Sequence, residues 1–136
     1  MKRSATATWK GPGKEGSGTL SLDSGMLKEA SYSWRTRFQD PEGTSPEELL
    51  AAAHAACFSM KLSFVLGNAG YTPTSLQTTC TVTIENGLIN NSHLVVVGQV
   101  PGLSAETFRQ CAEDAKQNCP VSKVLNTQIT LEARLA

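Results

Sequence analysis

An α+β domain is predicted for this chain of 136 residues, with antiparallel sheet packed around a long, largely apolar central helix and a second helix, in the order β-β-β-α-β-β-α-β. Three observations carry that expectation. Segments of two-residue alternation, separated by Gly- and Asn-rich turns, lie towards both ends of the chain. The apolar run from Leu49 to Leu66 opens on a strong helix-capping signal. A later segment places Phe108, Cys111, Ala112, Ala115 and Cys119 on one helical stripe.

Taken in order, Thr6 to Lys10 reads as a strand, and the turn from Gly11 to Gly18 leads to a second strand, Thr19 to Leu22. In the next strand Ala30, Tyr32, Trp34 and Phe38 point one way, while Ser31, Ser33, Arg35 and Arg37 point the other. A loop at Gln39 to Thr44 ends it. Ser45 then caps a helix, Pro46 suits the first helical position, and Glu48 completes a capping box. That helix is expected to run to about Leu66, closed by Gly67-Asn68 or Gly70.

Thr78, Cys80, Val82 and Ile84 alternate with polar neighbours in a half-buried strand. Asn86-Gly87 and Asn90-Asn91 mark the turn into a strand from His93 to Val100. Ser104 caps the second helix. Pro120 breaks it and starts a short helix to Leu125, and Thr127 to Leu135 forms a final alternating strand.

Composition narrows the function. With 40% hydrophobic and 18% charged residues the chain is too apolar for disorder, and its length suits a single domain, 1–136. Twelve Lys and Arg balance 12 Asp and Glu, so there is neither the basic footprint of a nucleic-acid binder nor a polybasic membrane patch. The basic start, Met1-Lys2-Arg3, has no apolar core after it, so no signal peptide is expected. The run from Leu49 to Leu66 carries His54, Ser59, Lys61 and Ser63 and reads as a core helix rather than a membrane span. The cytoplasm is the expected compartment. The central helix is apolar all round, more than the sheet of one small domain covers, which predicts a homodimer.

In that compartment the 4 cysteines are expected to rest as thiols. Cys-x-x-Cys is absent and only two His are present, so zinc-finger and thioredoxin patterns do not apply. Cys80 and Cys111 fall on apolar faces and read as packing residues. Periodicity alone gives Cys57 the same role. Cys119 stands apart, because it occupies the N-cap of the short helix after it, where free N–H groups favour a thiolate; a plain helix-terminal role stays open beside that one.

The run from Gly43 to Met60, GTSPEELLAAAHAACFSM, closely resembles the signature of the OsmC/Ohr family of Cys-dependent hydroperoxide reductases. Asn118-Cys119-Pro120-Val121-Ser122-Lys123 resembles the family's second cysteine motif, Thr36-Arg37-Phe38 its arginine segment, and Gly67 to Ser75 matches as well. The position of Arg37 just before the Pro-Glu-Glu helix resembles the osmotically inducible branch. The family has Asn where this chain has Ser45, an equivalent cap.

The resemblance implies an OsmC-like fold in an intertwined homodimer. It also implies a thiol peroxidase acting on organic hydroperoxides, with hydrogen peroxide as a further substrate. Cys57 would be the nucleophile and Cys119 the resolving thiol, forming a Cys57–Cys119 disulfide. Arg37 would lower the pKa of Cys57, and Glu47 would hold Arg37. The implied reductant is a dithiol such as a lipoylated protein, and no haem, flavin or metal is implied.

Glu47 and Cys57 stand ten residues apart, roughly 15 Å along a helix. Glu47, with Arg37, is therefore expected to complete the site of the partner across a dimer interface. Phe58, Met60 and Phe64 are candidates for an apolar entrance, with core packing the plainer role, and His54 lies one turn before Cys57 without an assigned function. Two rival readings stand beside the peroxidase: a redox-sensing dimer using the same cysteines without efficient turnover, and a structural dimer whose cysteines only pack.

Overall fold

The computed structural model describes residues 1–39 and 42–136. Asp40 and Pro41, in the expected loop, lie outside the described residues. The chain divides into two compact units, Met1–Leu49 and Leu50–Ala136.

The N-terminal unit holds an antiparallel sheet in the order β1 (Ala5–Lys10), β2 (Ser17–Leu22), β3 (Ala30–Tyr32). Register places Trp9 opposite Gly18 and Gly18 opposite Tyr32, and the two aromatic rings meet at 5.5 Å across the glycine. A Cβ at Gly18 would fall 2.6 Å from the Tyr32 ring and 2.8 Å from the Trp9 ring, so the pair depends on the missing side chain.

The third strand is shorter than its alternation predicted. After Tyr32 the chain turns into a short helix, α1 (Trp34–Phe38). Ser33 and Thr36 form a reciprocal capping box, in which the Ser33 hydroxyl accepts from the Thr36 N–H and the Thr36 hydroxyl accepts from the Ser33 N–H. Trp34 and Phe38, four apart, stack with ring centroids 5.1 Å apart. The same spacing fits a strand face and a helix face, and the local hydroxyl bonds decide for helix.

Helix α2 (Pro46–Asn68) starts where the capping signal placed it, with the Ser45 hydroxyl accepting from the Glu48 N–H at 3.1 Å. The second half of the expected box is replaced, because the Glu48 carboxylate accepts instead from the Thr44 hydroxyl at 2.8 Å. Its C-terminus is a Schellman motif closed by Gly70 at φ +91°, with the Tyr71 N–H bonded to the Leu66 carbonyl and the Gly70 N–H to that of Gly67.

The C-terminal unit holds the second sheet, in the order β4 (Ser75–Glu85), β5 (Leu88–Gln99), β6 (Gln128–Leu135). An antiparallel hairpin joins β4 to β5 through Asn86-Gly87 alone, both at positive φ. Asn90 and Asn91 lie within β5, not in the turn. The expectation of a wholly antiparallel sheet is corrected as well. The strand β6 runs parallel to β5, because the chain returns through α3 (Ala105–Asn118) and α4 (Pro120–Val124) before pairing.

The core of this unit is built from regular spacing. His54, Phe58, Leu62 and Leu66, each four apart, are fully buried along one stripe of α2. The last three share a core with Leu94 and Val96 of β5 and Phe108, Ala112 and Ala115 of α3. The opposite side of α2 is open, with Met60 65% and Phe64 66% exposed, whereas Phe58 lies in the core. By length and composition α2 would suit a bilayer span, yet its apolar residues divide between this core and an uncovered face.

Gly98 on β5 lies against the fully buried ring of Phe108, where a Cβ would meet ring carbons at 2.6 and 2.8 Å. Gly98→Ala is therefore expected to destabilise the protein by about 1–3 kcal/mol through overpacking, read as a lower urea midpoint at unchanged slope.

Candidate active site

The four residues singled out in the sequence come together as two pairs. In the N-terminal unit, Arg37 and Glu47 form a forked ion pair. The Arg37 Nη2 donates to Glu47 Oε1 at 2.6 Å, and Nε donates to Oε1 at 3.1 Å and Oε2 at 3.3 Å. Arg37 is carried by α1, not by a strand face as its alternation with Arg35 suggested. Its guanidinium also lies 5.2 Å from the Phe38 ring centre.

Glu47 occupies the first turn of α2, where the free N–H groups of the helix favour a carboxylate. It is buried, which alone would raise its pKa. The Arg37 hydrogen bonds, its own backbone N–H and the Ser45 hydroxyl outweigh that and hold it below the ordinary carboxylate range. Arg37 is raised in turn by its bond to Glu47. The result is a fixed guanidinium whose side chain is still 35% exposed.

In the C-terminal unit, Cys57 and Cys119 are both free thiols; Cys119 lies in the buried core and Cys57 packs against that core, near enough for Cys119 to act on its ionisation. Cys57 sits mid-helix on α2, beside the buried stripe. Cys119 is fully buried and serves both as C-cap of α3 and N-cap of α4, with its N–H bonded to the Ala115 carbonyl and its carbonyl accepting from the Lys123 N–H. Burial pushes the Cys57 thiol above its ordinary range, the Val121 backbone N–H works against that, and the neighbouring Cys119 adds to it. A thiol in this setting needs a nearby cation to ionise at neutral pH.

Sequence reasoning missed a third cluster. His54 is fully buried, its Nδ1 lying 2.6 Å from Ser92 Oγ on β5 and its Nε2 2.7 Å from Ser122 Oγ on α4. Cys80, read as a packing residue, does border the core, but its Sγ is also 3.2 Å from Ser92 Oγ and 3.9 Å from His54 Nδ1. Cys111 is buried in the core as expected. A histidine on an apolar stripe signals that buried polar partners exist, but Ser92 and Ser122, 38 and 68 residues away, carry no local mark of it. Among the described residues no group of His, Cys, Asp and Glu is arranged to hold a metal ion.

Comparison with known proteins gives the family and the fold. Residues 39–134 match the family model described as OsmC-like protein. The chain is 46% identical to peroxiredoxin OsmC of Escherichia coli strain K12, over 99% of this chain and 97% of that protein. Among solved structures, an organic hydroperoxide resistance protein from Elizabethkingia anophelis is 25% identical with a TM-score of 0.72, covering 100% of this chain and 97% of that one. The organic hydroperoxide resistance protein OhrB of Bacillus subtilis shares the fold at a TM-score of 0.66 and 23% identity, covering 98% of each chain.

The Arg37–Glu47 pair has a pH signature. A carboxyl held low in the folded state stabilises it fully above the unfolded value, about 4.3, and loses that contribution as pH falls through its lower folded value. Urea midpoints between about pH 7 and pH 3 should therefore fall less steeply in Glu47→Gln than in the unaltered protein, from a lower starting stability.

Proposed function

The chain belongs to the OsmC family of cysteine-based peroxidases, and we propose that it reduces organic hydroperoxides to alcohols, and hydrogen peroxide to water, through the Cys57–Cys119 pair. The observation that carries this reading is that two free thiols, one on the central helix and one at a helix junction, share one core, with Cys119 acting on the ionisation of Cys57. In the first step the Cys57 thiolate attacks the O–O bond. The distal oxygen stays on sulfur as a sulfenic acid, and the proximal oxygen leaves as an alkoxide that takes a proton. In the second, the Cys119 thiol attacks that sulfenic acid, forming the disulfide and releasing water. An external dithiol such as a lipoylated protein then exchanges with the disulfide, restoring both thiols and becoming a disulfide itself.

Arg37 is the group we assign to lower the pKa of Cys57 and to donate to the peroxide oxygens as charge builds. The bond to Glu47 supports that role, because it fixes the guanidinium while leaving part of it accessible. Glu47 and Cys57 stand ten residues apart on one continuous helix, roughly 15 Å of rise, so we assign the Arg37–Glu47 pair to the thiol of a partner subunit in a homodimer. The uncovered Met60 and Phe64 on α2 support dimer burial of that helix. Four free cysteines suit the reducing cytoplasm.

Mass spectrometry after one equivalent of cumene hydroperoxide should find a Cys57–Cys119 bridge, and a protein that stays fully reduced would overturn the reading. Turnover with dihydrolipoamide should vanish in Cys57→Ser, while a bridge formed without any dithiol-dependent turnover would favour a sensor. Arg37→Met should slow oxidation of Cys57 by about 10²-fold or more, followed by loss of free thiol under excess hydroperoxide.

A further inference from the structure

His54 and Cys57 lie three residues apart on α2, and Cys119 and Ser122 lie three apart at the start of α4. The two segments meet where His54 Nε2 lies 2.7 Å from Ser122 Oγ, and Cys57 packs against the core that contains Cys119. The Val121 backbone, between these positions, favours the ionised form of Cys57 against its burial. Among the described residues, Ser122 is the side chain by which α4 hydrogen-bonds to the rest of the chain. The outer residues of this short helix, Lys123 and Val124, face solvent. On its other side His54 is braced by Ser92 of β5 at 2.6 Å.

Burial disfavours the charged imidazole, so neutral His54 donates to one serine and accepts from the hydroxyl of the other. Both serine hydroxyls are satisfied whichever nitrogen carries the proton. No buried side-chain nitrogen or oxygen among the described residues lacks a partner.

We propose that the His54–Ser122 hydrogen bond, braced by Ser92, is a positioning device that holds Cys119 against Cys57 and thereby sets how the Cys57 sulfenic acid is consumed. The inference rests on the peroxidase reading above. Two reactions compete for that sulfenic acid. Attack by the Cys119 thiol gives the disulfide and water. Attack on a second hydroperoxide gives Cys57 sulfinic acid and an alcohol, and that product is not recovered by a dithiol. The first is intramolecular and depends on how firmly the resolving segment is held, whereas the second depends only on hydroperoxide concentration. His54 and Ser122 are positioning residues here, acting through Cys119.

The test reads the partition. Reduced protein is exposed to graded cumene hydroperoxide and quenched by alkylation, and disulfide and sulfinate at Cys57 are quantified by peptide mass spectrometry. Ser122→Ala, His54→Gln and the double variant are compared with the unaltered protein, with thermal unfolding recorded for each. Ser122→Ala should lower the hydroperoxide concentration that half-converts Cys57 to sulfinate by about five- to tenfold, the effect of losing one buried hydrogen bond. The double variant should shift it no further than His54→Gln alone, because both changes break the same bond. Should His54→Gln not fold, Ser92→Ala takes its place in the comparison. An unchanged midpoint in Ser122→Ala, or shifts that simply add, would overturn the inference. Failure of the unaltered protein to form either product at Cys57 would instead remove the peroxidase reading beneath it.

Discussion

Helix α2 must bury one stripe, and that requirement organises the C-terminal unit. His54, Phe58, Leu62 and Leu66 recur every fourth residue and lie fully buried against β5 and α3. Once those four are seated, the rotation of the helix is set, and so is the position of Cys57 beside the stripe. The same packing brings the end of α3, with Cys119, against α2. A thiol on a loop would need other restraints; here the hydrophobic core itself fixes the helix that carries it.

That placement carries an electrostatic cost. A thiol beside an apolar stripe is harder to ionise, and the Val121 N–H offsets burial only in part. In the N-terminal unit, Glu47 keeps the Arg37 guanidinium oriented by three hydrogen bonds. Glu47 stays charged despite burial because it combines that guanidinium with the N–H groups of a helix start. The division of labour is economical: one helix presents the acid at its first turn and the thiol in its middle.

Much of this was readable from residue patterns. The Ser45-Pro46 start of α2, the Ser104 cap, the break at Pro120 and the Asn86-Gly87 hairpin are local signals, each with a mechanism confined to a few residues. The errors arose where one pattern satisfies two structures. Trp34 and Phe38 suit either a strand or a helix until the Ser33–Thr36 bonds are counted. The parallel pairing of β6 is a property of the return path, and no alternation within the strand encodes it. The His54 cluster joins three elements through lone serines, so periodicity could find the histidine but not its partners. The motif resemblance supplies what periodicity does not, a candidate role for Cys57 beyond packing.

Cys119 is pinned from both directions, its N–H donating to the Ala115 carbonyl of α3 and its carbonyl accepting from the Lys123 N–H of α4. With its main chain held by two helices, Cys119 keeps only its side-chain torsion free. A junction built this way limits where the thiol can reach before any partner for it arrives.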